Sequence, residues 1–214
     1  MDYNRVNAYI EGLYQQRELT KKQFTTDTEL KNFGQVIDDD VARMLQIIIT
    51  IAKPQKILEI GTSIGFSTVS MANAIKHYDG KIVTIELDPN VAKHAIENFK
   101  REGVQDLIEV IVGEASAIVS NMDEEFDLIF QDVGDKRLYG TMIDDYIRLL
   151  KPGGLLIAED TLFPVILTSS ESGDSAKICE SLDTFNEEIA NYPLFESTLL
   201  PIGDGLTVAV KRPS

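Results

Sequence analysis

The most informative stretch of this sequence is KILEIGTSIGFST, residues 56–68. An apolar run at 56–60 leads into a loop bounded by Gly61 and Gly65, and a helical pattern begins at Phe66. A glycine turn between a strand and a helix lets a ligand approach the backbone closely at the carboxyl end of a sheet. The GxxxG spacing is not the GxGxxG of dinucleotide-binding folds, and the loop lacks the GK[ST] of a P-loop. We therefore expect a ligand-binding strand, loop and helix of another kind.

Strands and helices alternate after this unit. Asp88-Pro89 is typical of a helix start, and Gly103 of a helix end. The predicted strands are 56–60, 81–86, 107–112, 126–132, 155–160, 195–200 and 206–211. The predicted helices are 38–52, 66–77, one from Asp88 to Gly103, 114–121, one ending near Leu150 and one containing Ile178–Ile189. This order predicts an α/β fold with a doubly wound parallel sheet, helices on both faces and an antiparallel edge.

The other segments are predicted as connections and an N-terminal extension. Residues 1–35 are polar with weak helical periodicity, so we expect a helical extension, with 36–211 as the core of a single domain spanning 1–214. Residues 151–154, KPGG, predict a turn. Residues 164–175 are rich in Ser and Gly and predict a loop.

The composition narrows the class of protein. The chain has 214 residues, of which 35 are acidic and 20 are Lys or Arg, so its net charge is −15. This charge argues against nucleic acid and anionic membranes as partners, because basic patches bind both. The single cysteine, Cys179, excludes an intrachain disulfide, and no apolar stretch approaches about 20 residues. The first residues lack a basic segment followed by an apolar run, so we expect no signal peptide. We expect a cytoplasmic protein.

Acidic side chains stand at the ends of three consecutive predicted strands. Glu59 precedes the first loop glycine, Glu86 ends the next strand, and Glu114 follows Gly113 after the third. A carboxylate beside the loop repels a pyrophosphate and attracts a cation, while an acid at the second strand end can accept hydrogen bonds from ribose hydroxyls. S-adenosylmethionine has an amino group and a sulfonium but no phosphate, so the pattern favours this cofactor. Each acid alone also suits a helix cap or a solvated position.

The run from KILEIGTSIGFST to LLIAED, residues 56–160, resembles the class I S-adenosylmethionine-dependent methyltransferases. It is more similar to the cation-dependent O-methyltransferases of the catechol and caffeoyl-CoA type, and FNEEI (185–189) with LLPIGDGLTVAVK (199–211) resembles the closing segment of their bacterial members. The resemblance covers about residues 36–211 and implies a Rossmann-like, seven-stranded sheet with a final antiparallel hairpin, and a homodimer. The implied cofactor-binding residues are Glu59, Gly61, Thr62, Gly65, Phe66, Ser67, Glu86, Leu87, Gly113, Glu114, Ala115 and Asp132.

The resemblance also implies a divalent-cation site after the fourth and fifth strands. The family's ligands are an Asp after the fourth strand and an Asp-Asn pair after the fifth. The matching positions are Asp132, Glu159 and Asp160, so this chain has Glu in place of Asp and Asp in place of Asn. All three remain hard oxygen donors suited to Mg²⁺, Ca²⁺ or Mn²⁺. Without a cation the three carboxylates would repel one another and raise each other's pKa.

The family carries a lysine shortly after the first metal-binding Asp. Here it corresponds to Lys136 in DVGDKR, residues 132–137, a stretch one residue longer than the family's pattern. This difference leaves open that Asp135 faces the metal. We expect Lys136 to take the proton of the acceptor hydroxyl, with its pKa lowered by the cation and by burial. The acceptor pocket is expected between the N-terminal helices and the loops 133–140 and 162–175.

The leading hypothesis is a metal-dependent O-methyltransferase acting on a small phenolic or catechol-like hydroxyl. A second hypothesis is the same chemistry on 5-hydroxyuridine at the tRNA wobble position, against which the net charge counts. A third is a cofactor-binding protein with a degenerate metal site. A fourth is a nucleotide-dependent oxidoreductase, which the glycine loop and Glu59 disfavour.

Overall fold

The computed structural model describes residues 3–14, 19–167 and 173–213. The helices are α1 Tyr3–Tyr14, α2 Lys21–Asp27, α3 Asp39–Ala52, α4 Phe66–Ile75, α5 Pro89–Arg101, α6 Ala115–Ser120, α7 Ile143–Leu149, α8 Phe163–Ile166 and α9 Asp174–Asn191. The strands are β1 Lys56–Ile60, β2 Lys81–Glu86, β3 Ile108–Val112, β4 Phe126–Gln131, β5 Leu150–Ala158, β6 Phe195–Leu200 and β7 Leu206–Lys211. No helix in these ranges is long and apolar enough to cross a bilayer.

All seven strands form one sheet in the order β3-β2-β1-β4-β5-β7-β6. Strands β1 to β5 are parallel, and β7 pairs antiparallel with both β5 and β6. The predicted doubly wound α/β fold with a closing antiparallel hairpin is therefore confirmed. Because β2 and β3 lie on one side of β1 and β4 and β5 on the other, the strand order reverses between β1 and β4. Open α/β sheets bind ligands outside the carboxyl ends of their strands at such a reversal.

The sheet is buried on both faces. Ile57 and Leu58, neighbours in β1, are both fully buried, but they belong to two separate apolar clusters. One cluster contains residues of α3, α4 and α5, and the other contains residues of α6, α7 and α9. A strand covered on both faces is what a continuous apolar run such as KILEI predicts.

Three predicted boundaries were wrong. The KPGG segment, 151–154, is a bulge within β5, where the pairing with β4 shifts from Phe126–Leu150 to Leu128–Leu155. The segment predicted as a loop from 164 to 175 includes most of α8 and the start of α9. Pro164 is compatible with α8 because proline fits the first turn of a helix. Residues 168–172 lie outside the described part. The helix predicted to end near Leu150 begins only at Ile143, after two short 3₁₀ turns.

Helix α2 packs onto the core beside the glycine-loop helix. Phe24 is fully buried, with its ring centroid 5.4 Å from that of Phe66, and the guanidinium of Arg101 lies 5.0 Å above the Phe24 ring. Burial of a phenylalanine side chain contributes about 1.5–3 kcal/mol to the stability of the fold. This contact holds Lys21, the first residue of α2, near the carboxyl edge of the sheet.

Candidate active site

The glycine loop lies at the point where the strand order reverses. Gly61 and Gly65 have φ values of +101° and +88°, which favour glycine. A Cβ on Gly61 would lie 2.2 Å from the carbonyl oxygen of Asp132, and one on Gly65 would lie 2.3 Å from the Phe99 ring. The backbone N–H of Asp132 also donates to the carbonyl of Ile60 at 2.9 Å. The two glycines therefore allow the end of β4 and helix α5 to approach the loop.

Glu59 lies beneath the loop rather than in it. Its carboxylate is fully buried and accepts hydrogen bonds from Ser67 at 2.5 Å, Thr68 at 2.5 Å and Thr84 at 2.6 Å. Burial raises the pKa of Glu59 to about 7, although these three hydrogen bonds act to lower it. In this geometry Glu59 ties β1 to α4 and β2, and direct contact with the cofactor stays a prediction. Three neighbours predicted as cofactor-binding are also buried: Thr62, Phe66 and Ser67.

Glu86 joins the end of β2 to the glycine loop. Its half-buried carboxylate accepts from the backbone N–H of Ser63 at 2.8 Å and of Asp88 at 3.0 Å. Leu87, the next residue, is 67% exposed at the same edge of the sheet. The structure thus brings the second predicted acid against the loop, where a ribose contact would require it.

Glu114 has the role of a helix cap. After Gly113, its carboxylate accepts from the backbone N–H groups of Ser116 at 3.1 Å and Ala117 at 2.8 Å at the start of α6, which begins at Ala115. The hydrogen bonds from Ser116 and Ala117 lower the pKa of Glu114. The helix-cap role, which the sequence left open for each of these acids, therefore accounts for the carboxylate of Glu114. An adenine contact at residues 113–115 stays a prediction.

The three predicted metal ligands come together. Asp132 follows β4 directly, Glu159 and Asp160 follow β5, and one carboxylate oxygen from each lies within 4.8 Å of the other two. Asp160 has a left-handed backbone, with φ of +64°, a conformation that Asp and Asn tolerate better than most residues. The family resemblance thus identified three groups that are neighbours in space.

Lys136 lies inside this carboxylate cluster. Its Nζ is 2.9 Å from Oδ1 of Asp132 and 2.5 Å from Oδ2 of Asp160, and it donates to the hydroxyl of Tyr139 at 3.2 Å. Its side chain is only 7% exposed. Asp132, Glu159, Asp160 and Lys136 are called the lysine cluster below.

Burial and proximity shift the pKa of the groups in the lysine cluster. Burial raises the pKa of Asp132, and burial together with Asp160 and Asp132 strongly raises that of Glu159. Burial acts to lower the pKa of Lys136, but Tyr139 and the two Asp carboxylates raise it well above its ordinary value. The lowering expected beside a bound cation stays a prediction, because the charged groups nearest to Lys136 in this arrangement are the carboxylates of Asp132 and Asp160.

Asp135 does not face the cluster. Its carboxylate pairs with the guanidinium of Arg137 at 2.7 Å and caps the 3₁₀ turn Lys136–Leu138 by accepting from the Arg137 backbone N–H at 3.1 Å. The possibility that Asp135 takes part in the metal site is therefore corrected. Lys136, the next residue, does reach the carboxylates of Asp132 and Asp160.

Tyr139 is a site residue that sequence reasoning missed. It is fully buried, accepts a hydrogen bond from Lys136 and donates to the backbone carbonyl of Glu159 at 2.9 Å. Tyr139 lies between two 3₁₀ turns, Lys136–Leu138 and Gly140–Met142, and a tyrosine in a short connecting segment gives no such signal by itself.

A cavity of about 440 Å³ opens beside the lysine cluster. Lys21 of α2 and Asp38 line it and form an ion pair of 2.7 Å, and Asp204 joins them from the β6–β7 turn. Burial and the charges of Asp160 and Asp38 raise the pKa of Asp204. The predicted contribution of the N-terminal helices is thus present, whereas no described residue of 133–140 or 162–175 lines this cavity.

Comparison with known proteins identifies the class. The sequence model of the O-methyltransferase family matches residues 11–212. The catechol O-methyltransferase of Mycobacterium tuberculosis is 32% identical over 74% of this chain and 72% of its own. The caffeoyl-CoA O-methyltransferase of Populus kitakamiensis is 26% identical over 92% of this chain and 85% of its own. The crystal structure of the O-methyltransferase from Bacillus cereus in complex with SAH superposes with a TM-score of 0.82, at 25% identity, covering 97% of each chain.

The sheet, its closing hairpin and the glycine loop at the reversal point define a class I methyltransferase fold. The chain belongs to the O-methyltransferase family and is an S-adenosylmethionine-dependent enzyme of the catechol and caffeoyl-CoA type. The resemblance inferred from the sequence is thereby confirmed.

Proposed function

We propose that this enzyme methylates a hydroxyl of a small phenolic or catechol-like acceptor with the help of a divalent cation. The observation that carries the proposal is the convergence of Asp132, Glu159 and Asp160 within 4.8 Å, at the strand ends beside the glycine loop. Three carboxylates supply hard oxygen ligands of the kind that Mg²⁺, Ca²⁺ and Mn²⁺ prefer. A divalent ion held there would lower the pKa of an acceptor hydroxyl and orient it.

The chain's own residues position the reaction. The backbone of Asp132 touches Gly61, so the carboxylate cluster and the cofactor loop are adjacent. This adjacency supports a reaction in which the hydroxyl oxygen is held close to the donated methyl group and oriented towards it, which lowers the entropic cost of reaching the transition state. We propose that Lys136 receives the hydroxyl proton in its neutral form, which would require a bound cation to neutralise Asp132 and Asp160, since these carboxylates favour the ammonium when no ion is bound.

The cavity supports a small acceptor. Its volume of about 440 Å³ is within the range of small-molecule sites. Asp38 and Asp204 stand at its walls, and Lys21 is already paired with Asp38. An acidic cavity disfavours a polyanion such as tRNA, which basic side chains would have to bind.

We further propose that the protein is a homodimer, as the family resemblance implies. Helix α3 carries two largely exposed isoleucines, Ile47 at 55% and Ile51 at 77%, and α1 carries exposed Tyr9 and Leu13. Exposed apolar side chains grouped on helices support an interface between copies. Sedimentation of the wild type and of an Ile47→Glu, Ile51→Glu double variant tests this proposal, since a monomeric wild type would contradict it.

The test of the function is transfer of a labelled methyl group from S-adenosylmethionine to 4-methylcatechol, to a hydroxycinnamoyl thioester and to tRNA. We expect methylation of a phenolic acceptor with Mg²⁺ and its loss with EDTA. Activity that is indifferent to EDTA would contradict the metal site. Methylation of tRNA alone would contradict the acceptor class. Binding of S-adenosylmethionine with no transfer to any acceptor would favour the cofactor-binding hypothesis.

A further inference from the structure

The lysine cluster departs from the family's pattern in a way that changes its charge. Where the family resemblance implies an Asn, this chain has Asp160, whose carboxylate forms an ion pair of 2.5 Å with Lys136. An amide at this position would offer an uncharged oxygen and leave Lys136 with Asp132 as its anionic partner. The substitution to Asp therefore adds a negative charge and the ion pair with Lys136 that balances it.

Lys136 contacts two of the three carboxylates that would bind a metal. Its ammonium pairs with Asp132 at 2.9 Å and with Asp160 at 2.5 Å, and all three side chains are largely buried. Ca²⁺ and Mg²⁺ bind carboxylate oxygens at about 2.0–2.6 Å, so an ion at this site would lie within contact distance of the ammonium. Two cations at that separation, shielded from water, repel each other strongly.

We propose that the ammonium of Lys136 occupies the position of the divalent cation and competes with it for Asp132 and Asp160. This inference rests on the proposed metal site and adds a consequence for it. Binding of a divalent ion requires Lys136 to leave both carboxylates, and its ion pairs hold the two strand ends together when no ion is bound. Tyr139 remains beside the lysine as an uncharged hydrogen-bond partner.

The competition is tested by Mn²⁺ binding, measured by electron paramagnetic resonance and calorimetry without methyl donor or acceptor. We expect Lys136→Met to bind Mn²⁺ at least about tenfold more tightly than the wild type, because the competing charge is gone. Arg137→Met is the matched control, since the neighbouring Arg137 pairs with Asp135 outside the cluster, and it should leave Mn²⁺ affinity unchanged. Adding Glu159→Gln to Lys136→Met should remove the gain, which would locate the ion at the cluster.

Equal or weaker Mn²⁺ binding by Lys136→Met would overturn the proposal, as would a gain that persists in the Glu159→Gln background. If Lys136→Met does not fold, labelling of the wild type decides. Reductive methylation followed by mass spectrometry should modify the buried Lys136 slowly without metal and several-fold faster at saturating Mg²⁺. Exposed Lys100 should react at the same rate in both conditions. An unchanged rate at Lys136 would overturn the proposal, and none of these readouts depends on methyl transfer.

Discussion

The two halves of the sheet's carboxyl edge treat their acidic residues in opposite ways. In the glycine-loop half, at the ends of β1, β2 and β3, Glu59, Glu86 and Glu114 each accept hydrogen bonds from uncharged donors. In the lysine cluster, at the ends of β4 and β5, the carboxylates face one another and a single ammonium. Residues of the same type at equivalent strand ends therefore acquire different chemistry from their neighbours.

This difference indicates that the glycine-loop half mainly stabilises the fold, whereas the lysine cluster mainly serves the reaction. Hydroxyl and backbone N–H donors satisfy the hydrogen-bonding capacity of a carboxylate. The carboxylates of the glycine-loop half therefore need no bound ion to be stable where they are. The lysine cluster has more negative than positive groups in a buried space, an arrangement that favours uptake of a cation or proton. We expect substitutions in the cluster to affect catalysis most and substitutions around the glycine loop to affect stability most.

The largest expected effect is that of Asp132→Asn. This change removes a candidate metal ligand and one of the two ion pairs of Lys136, and we expect kcat/KM for a catechol to fall about 10³-fold. Asp135→Asn is the matched control, because Asp135 caps the adjacent turn and pairs with Arg137. We expect the control to stay within about twofold of the wild type. Similar losses in both variants would mean that the segment, rather than the cluster, matters.

Gly61→Ala should have the largest effect on stability. The new methyl group would lie 2.2 Å from the carbonyl oxygen of Asp132, at a φ of +101° that favours glycine. We expect the free energy of unfolding in urea to fall by about 3 kcal/mol. Gly134→Ala is the control, since no atom lies within 4 Å of the Cβ it would add, and it should change stability by less than about 0.5 kcal/mol. Equal stability of the two variants would show that β4 does not press against the loop.

Glu59 should make the stability of the fold depend on pH. Burial raises its folded-state pKa from 4.5 to about 7, so its contribution is fully present below pH 4.5. The contribution is lost as the pH rises towards 7, because the unfolded state releases its proton first. The shift in pKa corresponds to a loss of about 3 kcal/mol in the free energy of unfolding at high pH.

Urea unfolding between pH 4.5 and 8 measures this dependence. We expect the free energy of unfolding of Glu59→Gln to change less with pH than that of the wild type, by a large part of the about 3 kcal/mol given above. The variant Glu109→Gln, at an exposed position, should keep the wild-type dependence. Parallel curves for the wild type and Glu59→Gln would indicate that the three hydroxyl hydrogen bonds, rather than burial, control the ionisation of Glu59.

The sequence was sufficient for the parts of the molecule that depend on order along the chain. The glycine spacing of Gly61 and Gly65 and the alternation of strands and helices follow from local patterns, while the family resemblance identified Asp132 at the end of the fourth strand. It was insufficient where distant segments meet. Asp204 reaches the cavity from the β6–β7 turn through a hydrogen bond from the Leu162 N–H to its carbonyl, and no local pattern encodes this contact.

The same limit explains why the sequence did not reveal the environment that Lys136 has when no cation is bound. Its position four residues after Asp132 was visible in the sequence, but its second partner, Asp160, comes from another strand end. A lysine beside one carboxylate and a metal is expected to have a lowered pKa, whereas a lysine between two carboxylates has a raised one. Which applies depends on the packing of β4 against β5.

The smallest expected effect distinguishes two buried tyrosine hydroxyls. Tyr139→Phe removes hydrogen bonds to Lys136 and to the carbonyl of Glu159, and we expect it to cost about 1–2 kcal/mol of unfolding free energy. Tyr78→Phe is the control, because the Tyr78 hydroxyl is buried without a hydrogen-bond partner among the described residues. Removing it should leave stability unchanged or slightly higher, since an unsatisfied buried hydroxyl is unfavourable. Equal costs for the two variants would mean that Tyr139 stabilises the cluster through its ring alone.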